Sequence, residues 1–296
     1  MAAFGSDGRP ACRHFLAGSC MHGEACRFSH AVVDTRKRVP CRHFFAGGCR
    51  NGESCPYSHD LDAPSESREH ALLAVVEART APTFALDVEC VATGPTHRDR
   101  AVAQIGLVDE QLRVVLNLFV KPKAPVVSYL TPLTGITREL IDSQGIAIEE
   151  AVAALKTRLP VSAVLVGTNV GQDATWLGLK TPSDFASLLD LSPLFKVWDP
   201  ARRKFAYFGQ DHLAKCWLGH PRPPGVSHDA VGDAATSMML LHAFLTVRRD
   251  PARLAMLHHA TLNTPRDPSF AARHPVFEGV CQGNLQTCKC NAPHFL

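Results

Sequence analysis

No run of 18 uninterrupted apolar residues occurs in the 296-residue chain, so no membrane span is expected. The first residues also lack the basic-then-apolar order of an export signal. Together these absences predict a nuclear or cytoplasmic protein whose thiols stay reduced. Excess charge is missing too. The net charge is only +3, and residues 1–60, with 8 Lys/Arg against 5 Asp/Glu, account for all of it. That balance permits a nucleic-acid partner without demanding one. Hydrophobic residues at 46% and charged residues at 20% fit a soluble globular chain with room for one sizeable core. Cysteine is the residue that is plentiful. Eleven of them in a reducing compartment point to metal sites rather than disulfides.

Eight metal-ligand residues fall in a repeat. Cys12, Cys20, Cys26 and His30 are spaced C-x7-C-x5-C-x3-H, and Cys41, Cys49, Cys55 and His59 repeat that spacing ten residues later. Neither unit is long enough to bury a core. Each supplies three soft thiolates and an imidazole, the donor set of a tetrahedral structural zinc. Binding would then provide the folding free energy, on the order of 10 kcal/mol per site. Both units resemble the CCCH zinc-finger family. The resemblance implies one Zn²⁺ per finger and single-stranded RNA as partner, with bases stacked on aromatic side chains. The candidates are Phe15 and Phe28 in the first finger and Phe44 and Tyr57 in the second. Arg13, Arg27, Arg42 and Arg50 are placed to meet phosphates. The alternative is that these aromatics pack over the zinc and the fingers bind protein.

Residues 1–60 are thus assigned to tandem fingers and the polar, turn-rich segment 61–81 to a linker that opens a short helix near Ser65 or Ser67. From Pro82 the texture changes. In "TFALDVECVA" Phe84, Leu86, Val88 and Cys90 share one strand face, and Asp87 and Glu89 share the other. "VAQIGLVDEQLRVVLNLFVKP" reads as two strands joined at Asp109-Glu110. "TGIT" starts a helix and "IEEAVAALKTRL" forms another. "SAVLVGTNV" reads as a strand and "QDATWLGL" as the opening of a helix. "SHDAVGDAATSMMLLHAFLTV" reads as a long helix with Ser227 at its N-cap and Asp233 in its second turn. Strands followed by alternating helices predict an α/β mixed sheet flanked by helices.

Asp87 and Glu89 are two acids in an apolar run, and a strand edge facing solvent would explain them as simply as a function would. Partners further along the chain favour function. Asp173 sits where a loop turns into a helix after the second apolar strand, and His228 and Asp233 are spaced H-x4-D. Four carboxylates in one cleft repel unless cations share them, and hard oxygen donors suit Mg²⁺ or Mn²⁺. "LDVE", "LVGTNVGQD" and "HDAVGDA", in that order, resemble the three motifs of the DEDDh 3′-to-5′ exonuclease superfamily, of ribonuclease H-like fold. The similarity covers about residues 82–246 and is greatest to eukaryotic RNA exonucleases and plant small-RNA-degrading nucleases, with "SYLTPLTGIT" a weaker echo. It departs from many RNA exonucleases in reading "LDVEC" where they have Asp-Cys-Glu-Met. The resemblance implies two active-site metals. Asp87 would bridge both, Glu89 and Asp233 would hold the ion that activates water, Asp173 would help hold the second, and His228 would be the general base. Hydrolysis releasing nucleoside 5′-monophosphates from single-stranded RNA is the expected activity. A DNA 3′-exonuclease, or a finger-based interaction protein with a silent nuclease fold, are the alternatives. His212 and Cys216 are expected to be structural, and Cys90 to pack rather than act as a nucleophile.

The extension 247–296 carries Cys281, Cys288, Cys290 and His294. Its C-x-C spacing is too short for a finger like the first two. A third Zn²⁺ and a surface tail with partly buried cysteines are both open readings of this segment.

Overall fold

A computed structural model describes residues 68–293, together with Cys12, Cys20, His22, Cys26, Arg27, Phe28 and Ser29. The expected roles of Phe15, His30, Cys41, Phe44, Cys49, Cys55, Tyr57, His59 and His294 lie outside the described residues. Two compact units are present, Met1–Ser67 with Pro200–Arg203, and Arg68–Asp199 with Lys204–Leu296. The expected boundaries at 82 and 246 therefore fall inside the second unit.

In the first unit, three thiols of the first finger converge. The Cys26 and Cys12 sulfurs are 3.7 Å apart, and those of Cys20 and Cys26 are 3.8 Å apart. A tetrahedral zinc with bonds of ~2.3 Å has donor–donor edges of about 3.8 Å. Phe28 is half exposed, at 51%.

The second unit is built on a mixed sheet. Strands β1 (Thr83–Ala92), β2 (Arg100–Asp109) and β3 (Val114–Phe119) form an antiparallel meander. Strands β4 (Val164–Gly167) and β5 (Ser187–Asp190) continue the sheet in parallel beyond β1. The order is β3-β2-β1-β4-β5. Helix α1 (Arg68–Glu77) precedes β1. Between β3 and β4 lie α2 (Thr131–Thr134), α3 (Arg138–Gln144) and α4 (Ile148–Arg158). The Thr137 hydroxyl caps α3 by accepting from Leu140 N–H at 3.2 Å, which agrees with "TGIT" as a helix start. Helix α5 (Val170–Trp176) joins β4 to β5. After the hairpin of β6 (Val197–Asp199) and β7 (Lys204–Ala206), α6 (Gln210–Leu213) leads through a π-helical turn, Ala214–Leu218, toward α7 (Ala230–Val247). Helix α8 (Pro251–Asn263), α9 (Phe270–Arg273) and the small hairpin β8 (Val276–Phe277) with β9 (Val280–Cys281) complete the unit.

The alternation in β1 decides which layer each side chain joins. Leu86 and Val88 pack with Leu155 of α4 and Ala174 of α5 on one face. Ala85 packs with Leu73 of α1 and Ala234, Met238 and Leu241 of α7 on the other. Asp87 and Glu89 share that second face. Among the described helices, α7 alone is long and apolar enough to cross a membrane, but its apolar residues are buried against the sheet.

Three expectations are corrected. The strand in "SAVLVGTNV" ends at Gly167. Asn169 adopts a left-handed φ of 60°, and α5 begins at Val170 rather than at Gln172. Helix α7 begins at Ala230, capped by Asp229 and not by Ser227; the Asp229 carboxylate accepts from Gly232 N–H at 2.9 Å. Asp233 consequently falls in the first turn of α7 rather than the second.

Candidate active site

Period two in β1 places Asp87 and Glu89 on one face, and a bulge between Glu89 and Cys90 shifts the pairing with β2 immediately after them. Such bulges re-aim neighbouring side chains. Across the ladder from Asp87 stands Gly106. A Cβ there would lie 2.4 Å from the Ala230 carbonyl carbon and 2.6 Å from Val231 N, so only glycine lets the start of α7 press against the sheet beside Asp87. Gln104, buried in β2, ties down the same helix start. Its Nε2 donates to Asp229 Oδ1 at 2.7 Å and to Asn117 at 3.0 Å, and its Oε1 accepts from Ala230 N–H at 3.3 Å. These contacts position Asp233, and Gln210 Nε2 donates to the Asp233 carbonyl at 2.7 Å. On the other side of β1, the β4-to-α5 connection delivers Asp173, which is buried.

These acids act on one another through their charges. Burial pushes the Asp87 carboxyl well above its ordinary range, and the charges of Asp173, Glu89 and Asp233 push it further. Burial raises Glu89 to about 9, with Asp233 the largest contributing like charge. Burial likewise raises Asp173 to about 8, with Asp190 adding to it. A helix N-terminus favours a carboxylate by only ~0.3–1 kcal/mol, so for Asp173 desolvation wins. Carboxyls arranged this way ionise together only beside positive charge.

Positive and hydrogen-bonding groups meet Asp233. His228 Nδ1 is 2.7 Å from Asp233 Oδ2. A carboxylate only accepts, so Nδ1 carries the proton and Nε2 is left as the basic nitrogen. The backbone N–H of His228 donates to the Leu133 carbonyl at 2.6 Å. This contact ties the "SYLTPLTGIT" segment to the backbone of His228 just ahead of α7. Arg222 carries no such signal in the sequence. It ion-pairs with Asp233, donates from Nε to Asp211 at 2.8 Å and donates to the Ser227 carbonyl at 3.1 Å. Only Gln104 among these additions left a signal, as a lone polar residue inside the apolar run of β2.

Glu89, His228 and Asp233 each offer a donor atom within 4.8 Å of the others. With Asp87 and Asp173 beside them, the set is rich in hard oxygens and fits divalent cations of the Mg²⁺ or Mn²⁺ class. Glu89, His228 and Asp233 are thereby brought together, and Asp87 and Asp173 act on the same acids through their charge. Cys90 lies against the apolar cluster on the other face, and burial drives its thiol well up, the opposite of what a nucleophile needs. His212 bonds the Thr261 carbonyl at 2.8 Å and stacks on Phe208, and Cys216 lies 3.6 Å from His212. Both have structural surroundings. Beside Glu89 opens a cleft of about 500 Å³, lined in part by Leu133, Trp176, Gln282 and Leu285.

Comparison with known proteins agrees with this geometry. Residues 84–241 match the family described as Exonuclease. Residues 39–60 match the CCCH-type zinc finger, and residues 7–32 match the zinc finger of C-x8-C-x5-C-x3-H type and similar. Small RNA degrading nuclease 2 of Arabidopsis thaliana is 30% identical over 190 residues, which is 62% of this chain and 40% of that protein. RNA exonuclease 5 of Homo sapiens is 32% identical over 180 residues, 60% of this chain and 21% of that protein. The match thus spans well under half the length of these relatives. In three dimensions the Pan2 catalytic unit of Neurospora crassa superposes with a TM-score of 0.51 at 19% identity, covering 62% of this chain and 30% of that one. That likeness shows the fold, a ribonuclease H-like mixed sheet with flanking helices. The match across more than half of the chain, on the strands and helices that carry Asp87, Glu89, Asp173, His228 and Asp233, makes this protein a member of the exonuclease family with CCCH zinc fingers ahead of its nuclease domain.

Proposed function

We propose that the chain is a 3′-to-5′ exoribonuclease that hydrolyses the terminal phosphodiester and releases nucleoside 5′-monophosphates. The observation that carries this reading is the convergence of Asp87, Glu89, Asp173 and Asp233 around an oriented His228. Two divalent cations held by the four acids would lower the pKa of a water and stabilise charge on the leaving oxygen. His228 takes the proton from that water at Nε2, while Asp233 holds Nδ1–H and so fixes the tautomer. The water oxygen bonds to phosphorus as the P–O3′ bond breaks, the phosphate leaves with the departing nucleotide, and the O3′ of the shortened strand takes a proton from solvent to become its 3′-hydroxyl. The fingers, and the RNA nuclease names of the relatives, support RNA as substrate. Matched RNA and DNA oligonucleotides incubated with Mg²⁺ test this. RNA is expected to shorten stepwise from its 3′ end and DNA far more slowly. Faster loss of DNA would reassign the substrate, and internal cuts would reject exonucleolytic action.

Trp176 supplies a place for the terminal base. It lies one helical turn after Asp173 on α5 and is 36% exposed at the cleft that holds Glu89. Stacking of a base on an aromatic ring contributes ~1–3 kcal/mol. Trp176→Ala is therefore expected to raise KM for a short RNA by roughly fivefold to a hundredfold with kcat little changed. An unchanged KM would remove Trp176 from substrate binding.

A further inference from the structure

The C-terminal segment brings three cysteines to a histidine more than 180 residues earlier. Cys281 and Cys288 sulfurs are 3.5 Å apart, and so are those of Cys288 and Cys290. Nδ1 of His97, in the loop between β1 and β2, lies 3.1 Å from Cys290 Sγ, 3.7 Å from Cys288 Sγ and 4.0 Å from Cys281 Sγ. All four donor atoms lie within 4.8 Å of one another. Disulfide sulfurs would be ~2.05 Å apart, so these thiols are not bonded in pairs. A tetrahedron around zinc has edges of about 3.8 Å between sulfurs and about 3.5 Å from nitrogen to sulfur. The nitrogen–sulfur separations bracket the expected value, and the sulfur–sulfur separations lie slightly inside it and inside the 3.7 and 3.8 Å of the first finger.

The surroundings fix the donors in the required state. His97 Nε2 is 3.1 Å from the Pro293 carbonyl oxygen. A carbonyl only accepts, so Nε2 carries the proton and the Nδ1 lone pair faces the three sulfurs. The Gly283 N–H donates to Cys281 Sγ at 3.4 Å. Gly283 has φ +71°, and a Cβ on it would stand 3.2 Å from His97 Cβ and Cγ, so glycine is what allows the chain to wrap over the ring. The loop holds the segment at further points. Cys281 N–H donates to the Pro95 carbonyl at 2.8 Å, and Arg100 Nη2 donates to the Cys281 carbonyl at 3.0 Å.

We propose that His97, Cys281, Cys288 and Cys290 form a third structural zinc site, which pins the C-terminal segment to the β1–β2 loop. Three thiolates and one imidazole select zinc over the hard cations of the active site. The site closes its four protein ligands, so its role is structural. Gln282, Gly283 and Leu285, within the ligand span, line the same cleft as Glu89. The metal therefore holds one wall of that cleft in place. The ligand set stands whether or not the chain cuts RNA.

Zinc stoichiometry of the full chain tests it, by native mass spectrometry beside elemental analysis. Wild type is expected to hold one zinc more than Cys288→Ser/Cys290→Ser and one more than His97→Ala, with both fingers still loaded. His97→Cys should restore the lost ion, because a fourth thiolate completes the set. In wild type, Cys281, Cys288 and Cys290 should resist alkylation until a chelator is added, a measurement that needs no variant to fold. Equal zinc counts in wild type and the cysteine variant would overturn the site, as would alkylation of all three thiols in the untreated native protein. Loss of the wall should also raise KM for a short RNA at least severalfold without changing the finger zinc.

Discussion

Asp87→Asn should abolish 3′-end trimming while leaving the fold intact, and in Mg²⁺-free buffer at pH 8 it should melt no lower than wild type. The loss of activity follows from its place among four converging acids. If Asp87 is a ligand of the proposed two-metal site, removing its charge forfeits several kcal/mol of transition-state stabilisation, and about 4 kcal/mol is roughly a thousandfold in rate. The effect on stability has the opposite sign from that of an ordinary buried-residue change. Asp87, Glu89 and Asp173 all have folded-state pKa values above their unfolded ones, with Glu89 at about 9 and Asp173 at about 8. Between the unfolded value near 4 and the raised value, the folded form binds more protons than the unfolded form. Stability therefore falls as pH rises through that window. Asparagine cannot ionise and removes part of the fall. Wild type and variant should thus converge toward pH 5 and separate toward pH 8, with wild type the less stable. Adding Mg²⁺ at pH 8 should raise the wild-type melting temperature more than that of the variant. Trimming within tenfold of wild type, or a variant melting well below wild type at pH 8 without Mg²⁺, would refute the assignment.

What could be read from the sequence, and what could not, divides along chain separation. Asp87 and Glu89 were legible because two-residue spacing in an apolar run fixes a shared strand face. His228 and Asp233 were legible because both lie at the start of one apolar helix. "SHD" offers two capping side chains, and the helix takes Asp229 rather than Ser227. The choice of Asp229 is made by Gln104, which reaches it from a strand 125 residues earlier. The bulge after Glu89 is set by pairing with β2, and no pattern within β1 announces it. Arg222 sits in a proline-rich loop midway between Asp211 and Asp233, eleven residues from each. No helical or strand period gives that distance meaning. His97 is the extreme case. The tail's cysteines advertise a metal site by density alone, but the described fourth donor comes from the loop after β1, and only the packing of β9 against that loop brings it there.

Removing residues 1–60 should weaken binding of long single-stranded RNA by roughly thirtyfold or more and leave trimming of very short RNA nearly unchanged. A cleft of about 500 Å³ beside Glu89 holds only the terminal nucleotides, so affinity for the rest of a long strand has to come from elsewhere in the chain. Two bases stacked on finger aromatics such as Phe28, which is 51% exposed, would contribute about 2–6 kcal/mol. Tethering adds to this by raising the effective concentration of the 3′ end near the nuclease domain. The salt dependence should fall as well. Each arginine–phosphate pair that the deletion removes lowers the slope of log affinity against log salt by about 0.7 for a single strand. Substituting Phe15, Phe28, Phe44 and Tyr57 with alanine, with the zinc count held at the wild-type value, separates stacking from finger folding. Titrations of full chain, deletion and aromatic variant against a long and a short RNA at two salt concentrations give the answer. If the deletion binds long RNA as well as the full chain does, the fingers do not grip this substrate, and a protein partner becomes their better explanation. If only the aromatic variant retains full affinity, the fingers hold RNA through their arginines and not through stacked bases.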